Sequence, residues 1–154
     1  MNERERGFAI ALEMLSRRRR SEQEVLARLG QRGITLQTCE EVVFALREMG
    51  YLNDRAFAEA WVRDRKKTKP MGRYRLAREL LEKGIERSLI DEVLGGEAGP
   101  EDELELALDL ARARLARIRG YSPDVVQRRL GQFLLRRGFS QETTTKVVKQ
   151  LIQG

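Results

Sequence analysis

The chain has 154 residues, 41% of them hydrophobic and only 6% aromatic, with three prolines, a globular composition that favours helices over a β-sandwich. It contains no histidine and a single cysteine, Cys39; this removes Ser/His/Asp and Cys/His catalysis, most zinc and non-haem iron sites and any internal disulfide, and it suits a reducing cytoplasm. Thirty Lys and Arg against 24 Asp and Glu give a net charge of +6, and because seven acids and no base lie between Asp91 and Glu105 the remainder carries about +13, which points to a polyanion or to a partner that holds one.

The N-terminus, Met1-Asn2-Glu3-Arg4-Glu5-Arg6, has acids and no apolar h-region, so it is not a secretory signal. No apolar run approaches the roughly 18 residues that a membrane span needs. From about Glu5 to Arg17, Phe8, Ala11, Leu12 and Leu15 keep helical spacing. Ser21-Glu22-Gln23-Glu24 has the form of a capping box, which opens a second helix with Val25, Leu26 and Leu29 on its apolar stripe. A third helix is predicted from about Thr35 to Met49, with Cys39, Val42, Val43 and Leu46 inward and Gly50 closing it. Asn53 is a good N-cap for a fourth, whose stripe carries Phe57, Ala58, Trp61, Val62 and Arg65. Pro70-Met71-Gly72 is a loop signal, after which a central helix runs through Tyr74, Leu76, Ala77 and Leu80, and a short one from about Arg87 to Leu94. Gly95 to Pro100, three glycines and a proline in six residues, reads as a hinge or linker. A long helix follows to about Arg119, then one opened by Ser122-Pro123 and ended at Gly138, then a last one capped by Ser140. Thr143-Thr144-Thr145 and Val147-Val148 suit a strand by propensity, but Val147, Val148, Leu151 and Ile152 keep helical spacing, so helix is predicted there too.

One string organises this order. Leu80, Lys83, Gly84 and Ile85 predict a helix end in which Gly84 goes left-handed and Ile85 folds back onto Leu80. Leu29, Arg32, Gly33 and Ile34 repeat the pattern, as do Leu134, Arg137, Gly138 and Phe139. Eight residues before each glycine stands Val25, Leu76 or Leu130; nine after stands Val42, Val93 or Val147. Such matched offsets indicate an internal repeat: three-helix units at residues 1–52, 53–96 and 97–154, joined at the last boundary by the acidic Gly/Pro linker of about 95–100. A unit of this size buries little alone, so the predicted fold is all-α, with three tandem three-helix repeats stacked into an elongated, curved body.

The basic cluster of the middle unit comprises Arg63, Arg65, Lys66, Lys67, Lys69, Arg73, Arg75 and Arg78, with Asp64 the one acid among them. It brackets the Pro70–Gly72 loop, so amides at the next helix start are candidates to join these cations on a phosphate or carboxylate. Tyr74 sits inside the cluster and either stacks on a base or a peptide plane or serves as packing. Arg17-Arg18-Arg19-Arg20 makes a second patch, of which Arg18 and Arg19 are taken as partner-facing, and Arg128-Arg129 with Arg136-Arg137 a third. Cations at helix C-termini are also favoured simply by the dipole. Trp61, Phe57 and Cys39 read as core. Paired acids such as Glu40-Glu41 and Asp102-Glu103 read as helix-start charges. No GxxxxGK loop is present, and no catalytic residue, metal site or cofactor is assigned.

Tyr51-Leu52-Asn53-Asp54-Arg55-Ala56-Phe57-Ala58, followed by Gly72 and by Glu79-Leu80-Leu81-Glu82-Lys83-Gly84-Ile85, resembles the central motif of the RecX family. The resemblance covers the whole chain, most specifically its middle unit; the Gly95–Pro100 segment looks longer and more acidic than a tight junction needs. It implies a non-enzymatic, monomeric, cytoplasmic regulator of the RecA recombinase, which binds the RecA–DNA filament in its helical groove, touches single- or double-stranded DNA weakly, and inhibits strand exchange, ATP hydrolysis and co-protease function. Three-helix units also serve as helix-turn-helix readers, so a DNA-binding protein or transcription factor is the alternative. A structural adaptor for another acidic protein is a third reading.

Overall fold

A computed structural model of the chain describes residues 1–97 and 100–153. Among the described residues there are nine α-helices and no strand: α1 Glu3–Arg17, α2 Glu22–Gln31, α3 Leu36–Glu48, α4 Asp54–Thr68, α5 Arg73–Glu82, α6 Arg87–Glu97, α7 Pro100–Arg117, α8 Pro123–Arg136 and α9 Gln141–Val148, the last continued by a π-helical turn, Lys149–Gln153. None of them is long and apolar enough to cross a membrane. Short polar side chains start these helices by accepting otherwise orphaned amides: Asn2 takes Glu5 N–H at 2.8 Å, Asn53 takes Ala56 N–H at 3.0 Å and Ser140 takes Thr143 N–H at 3.0 Å. Ser122 occupies the N-cap position before Pro123, but its hydroxyl makes no capping bond. α6 continues through the Gly95-Gly96 pair to Glu97, three residues past the end suggested by those glycines, a tolerated cost of about 1 kcal/mol per interior glycine. Of the anticipated linker, residues 98 and 99 lie outside the described residues.

The three related strings end α2, α5 and α8 in one manner. Gly33, Gly84 and Gly138 have φ of 82°, 83° and 93°. The next residue's amide reaches back five positions: Ile34 to Leu29 O at 3.0 Å, Ile85 to Leu80 O at 3.0 Å, Phe139 to Leu134 O at 3.1 Å. The apolar residues at each end of these bonds are buried, with Leu29, Leu80 and Leu134 fully enclosed; each such leucine contributes roughly 2 kcal/mol by leaving water. α3 ends in the same way at Gly50, where Tyr51 N–H reaches Leu46 O at 2.9 Å.

The chain divides into two compact units, Met1–Trp61 with Leu80–Ile90, and Val62–Glu79 with Asp91–Gly154, so α4, α5 and α6 give residues to both. In the first, Ile10, Ala11 and Met14 of α1 pack with Val25 and Leu29 of α2 and with Cys39, Val42, Val43 and Leu46 of α3. Burial pushes the Cys39 thiol up, which fits a packing residue rather than a nucleophile. The start of α2 seats on the end of α5. Ser21 is fully buried, donates to Lys83 O at 2.6 Å and completes the capping box with Glu24. A Cβ on Gly84 would overlap the Gln23 side chain. Lys83 also stands over the Trp61 ring at 5.3 Å, and Trp61 stacks on Phe57.

Glu24 is the ionic centre of this joint. Its burial favours the neutral acid, but the Arg18 hydrogen bond, the Ser21 amide and the charges of Arg18 and Lys83 together hold its carboxyl below the ordinary 4.5. A depressed carboxyl adds stability above its unfolded value and loses it as pH falls through the folded one. Glu24→Gln is therefore expected to cost roughly 1–2 kcal/mol at neutral pH, and the gap to the unaltered chain should narrow between about pH 5 and pH 2, as read from urea midpoints. Asp54, which accepts Glu22 N–H at 2.9 Å, works in the opposite sense, since burial raises its carboxyl. Glu24 itself contributes to that rise, so Glu24→Gln also relieves Asp54 in part.

In the second unit, Ala107, Leu108 and Ala111 of α7 meet Val126, Leu130 and Leu134 of α8 and Val147 and Val148 of α9. The β-branched run of α9 is helical because burial of Thr144, Val147 and Val148 on one face outweighs local strand propensity.

Candidate functional site

α5 begins at Arg73, and the residues before it pass against the C-terminal end of α8. Gly72 N–H donates to Arg137 O at 2.6 Å and Tyr74 N–H to Gly138 O at 3.1 Å. Arg73 N–H points to Glu103 Oε1 at 3.5 Å. The expectation that these amides join the cations on a phosphate or carboxylate is thus overturned: the C-terminal carbonyls of α8 and an internal carboxylate already take them. The backbones meet so closely that a Cβ on Gly72 would overlap the Gly138 carbonyl, and one on Gly138 would overlap Arg75. Positive and negative helix ends face each other here, an arrangement that adds about 0.3–1 kcal/mol.

Arginines lock the joint. Arg137 Nη1 donates to Pro70 O at 2.8 Å and Arg75 Nη1 to Arg136 O at 3.4 Å. The guanidiniums of Arg114 and Arg137 both stand over the Phe133 ring, at 5.1 and 5.2 Å. Burial, and then the charges of Arg75 and Arg114, lower the Arg137 guanidinium from its usual value. Arg75 and Arg114 thus act on Arg137 as like charges.

Beside it opens a groove of about 430 Å³ lined by Tyr74, Arg75, Arg78, Leu135 and Arg136. Tyr74 is 63% exposed and Leu135 43%, which gives the cations an aromatic and an apolar neighbour. Three of the sequence-derived candidates, Tyr74, Arg75 and Arg78, are therefore brought together, and Arg136 joins them.

The other candidates are dispersed. Arg63, Lys67 and Lys69 are exposed along the second half of α4 and after it. Arg65 pairs with Glu79 at 2.9 Å. Arg73 Nη2 donates to Leu94 O at 3.1 Å and, with Lys66 and Glu103, lines a separate apolar cavity of about 260 Å³. Arg65 and Arg73 thus each have a partner inside the unit. Arg129 lies over the Tyr121 ring at 4.1 Å, and Arg128 lines a second groove, of about 400 Å³, between α8 and α9. In the first unit Arg18 is engaged by Glu24, and Arg19 is exposed. The repeat-motif residues Leu29, Gly33, Ile34, Leu80, Lys83, Gly84, Ile85, Leu134, Gly138 and Phe139 are the helix ends described above; Gly84 and Gly138 are also the seats for α2 and α5.

The three helix triplets match the family profiles described as the first, second and third three-helix domains of RecX, over residues 8–44, 53–94 and 101–148. The chain belongs to the RecX family. It is 38% identical to the regulatory protein RecX of Streptomyces coelicolor, over 97% of this chain and 79% of that one. It is 37% identical to the RecX of Mycobacterium leprae, over 94% and 84%. The crystal structure of RecX from Lactobacillus salivarius superposes with a TM-score of 0.87 at 26% identity, covering 97% of this chain and 96% of that one. Regulatory proteins are thus its relatives along nearly its full length. Within RecX architecture, the groove at Tyr74 belongs to the joint between the second and third matched domains.

Proposed function

We propose that the chain is a non-enzymatic regulator of the RecA recombinase, which binds the RecA–DNA filament and inhibits its recombinase, ATPase and co-protease activities. Family membership supplies the class of protein. The observation that carries the site is the gathering of Arg75, Arg78 and Arg136 around one groove with the exposed Tyr74. Guanidinium forks suit the carboxylates of an acidic protein surface and the phosphates of bound DNA alike, and a tyrosine face adds stacking that tolerates either. Arg63, Lys67, Lys69, Arg19, Arg128 and Arg129 supply secondary contacts in this reading, and several weak contacts give avidity without a deep pocket. It needs no cofactor. It places the chain in the cytoplasm as a monomer, acting in DNA repair, recombination and the SOS response.

The test is RecA ATP hydrolysis on single-stranded DNA with the chain below one per RecA. Inhibition is expected, and its absence at moderate salt would sink the proposal. Arg75→Ala, Arg78→Ala and Arg136→Ala combined should raise the concentration for half inhibition by at least about tenfold, since charged contacts are worth about 1.5–3 kcal/mol each, with helix content unchanged. Arg73 is left intact because its loss would unseat α6.

A helix-turn-helix reader of DNA is the second reading, favoured by the groove in which Gln127, Arg128 and Gln132 of α8 stand beside Lys149, side chains of the types that read base edges. A footprint on one defined duplex sequence, without RecA, would select it.

A further inference from the structure

The basic run at the end of α1 does more than flank the capping box. Arg17 and Arg20 meet Arg28 and Arg32 of the α2 side around one cleft of about 220 Å³. Its floor is formed by Ile10 and Met14, both buried. Glu13 is the one acid lining it, and Arg17 pairs with that carboxylate at 3.0 Å. Arg20, Arg28 and Arg32 form no ion pair among the described residues. We propose that this cleft between α1 and α2 is a binding site for a compact, multiply charged phosphate, such as a pyrophosphate-type group or the phosphorylated end of a strand.

Three unmatched guanidiniums around one concavity repel one another, and an anion that fills the space removes that repulsion. Arg20 is half-buried and held by Met14 O at 3.4 Å, so it is partly stripped of water and presents its fork in a fixed place. Burial lowers its guanidinium, and Arg18, Arg28 and Arg17 push the same way against Glu24 alone. Dipoles at the ends of α1 and α2 account for Arg17 and Arg28 individually. They do not account for the convergence of side chains from both helices on one cleft. A carboxylate or a single phosphodiester brings one negative charge to three free cations, whereas a pyrophosphate-type group brings several in a comparable space, each oxygen open to bidentate contact.

The site is independent of the groove at Tyr74, and its test uses no RecA. Inorganic pyrophosphate is titrated calorimetrically into the full chain at about 0.15 M salt, where exposed charges more than about 8 Å apart are screened. Saturable one-to-one binding is expected, with at least a tenfold loss of affinity in the Arg28→Gln, Arg32→Gln double variant at unchanged helix content. Should that variant lose helix, Arg20→Lys replaces it, with a several-fold loss expected because charge remains but the fork is gone. No saturation, undiminished affinity in the informative variant, or full displacement by sulfate at matched ionic strength would each overturn the site and leave only screened cations. Competition by ADP would assign the phosphate to a free nucleotide. Competition by a 5′-phosphorylated oligonucleotide but not by its unphosphorylated twin would assign it to a strand end. Equal competition by both oligonucleotides, or competition by none of these ligands, would overturn the assignment.

Discussion

Gly72→Ala and Gly138→Ala are each expected to lower the unfolding free energy by about 3 kcal/mol or more, whereas Gly33→Ala and Gly50→Ala should cost only about 1–2 kcal/mol. All but Gly72 have positive φ, so the backbone penalty for an added Cβ is similar at positions 33, 50 and 138. The surroundings differ. A Cβ at Gly50 meets nothing within 4 Å, and at Gly33 only the far end of Arg6 at 3.9 Å. At Gly72 it meets the Gly138 carbonyl and the Phe139 amide, and at Gly138 the backbone nitrogen and Cβ of Arg75. Backbone does not yield as a flexible side-chain tip does. The helix ends must part, and the bonds from Gly72 to Arg137 and from Tyr74 to Gly138 go with them, each worth about 1 kcal/mol. Urea midpoints of the four variants read the contrast directly. A loss at Gly138 no larger than at Gly33 and Gly50, with none at Gly72, would show that the joint adds nothing beyond local backbone strain. Because Arg75, Arg136 and Gly138 line one groove, the proposed inhibition of RecA should weaken in Gly138→Ala in step with the arginine variants.

What the sequence made legible is what is local. The helix ends at Gly33, Gly84 and Gly138 are written in six consecutive residues, and so are the caps at Ser21, Asn53 and Ser140. Burial of Val25, Leu76 and Leu130, and of Val42, Val93 and Val147, follows from their fixed offsets to those glycines. What stayed hidden depends on partners far along the chain. Nothing near Gly72 announces that its amide is taken by a carbonyl at Arg137, so the start of α5 looked open to an anion when it is closed. Charge runs mislead for the same reason. Arg65 and Arg73 look like their neighbours Arg63 and Lys69, yet Glu79 and the Leu94 carbonyl engage them. The third basic patch divides as well: Arg136 shares a groove with Arg75 and Arg78, while Arg129 lies on Tyr121. The cluster of Arg20 with Arg28 and Arg32 had a faint signal, since positions 28 and 32 are four apart and share a helix face, eight and twelve residues after Arg20. Only the packing of α2 against α1 makes one site of them.

Ser21→Ala should cost about 2–4 kcal/mol, more than the loss of an ordinary N-cap at about 1 kcal/mol. The Ser21 hydroxyl has two tasks. It accepts Glu24 N–H at 3.1 Å, which starts α2, and it donates to Lys83 O at 2.6 Å, which satisfies a carbonyl left over at the end of α5. With the residue fully buried, no water replaces either bond without opening the joint. Ser140→Ala is the matched control: its hydroxyl also caps a helix, at 3.0 Å from Thr143 N, but the side chain is only half-buried and its other partner is the neighbouring Thr143 hydroxyl. The two losses should differ by about 1–2 kcal/mol, the cost of stranding one buried acceptor. Ser21→Asp separates the tasks further. Aspartate is as good an N-cap as serine, but when ionised it only accepts, so it would set a carboxylate against the Lys83 carbonyl. Stability of Ser21→Asp at or below that of Ser21→Ala would place the larger share of the effect in the seat between α2 and α5. Recovery to the level of the unaltered chain would place it in the cap alone.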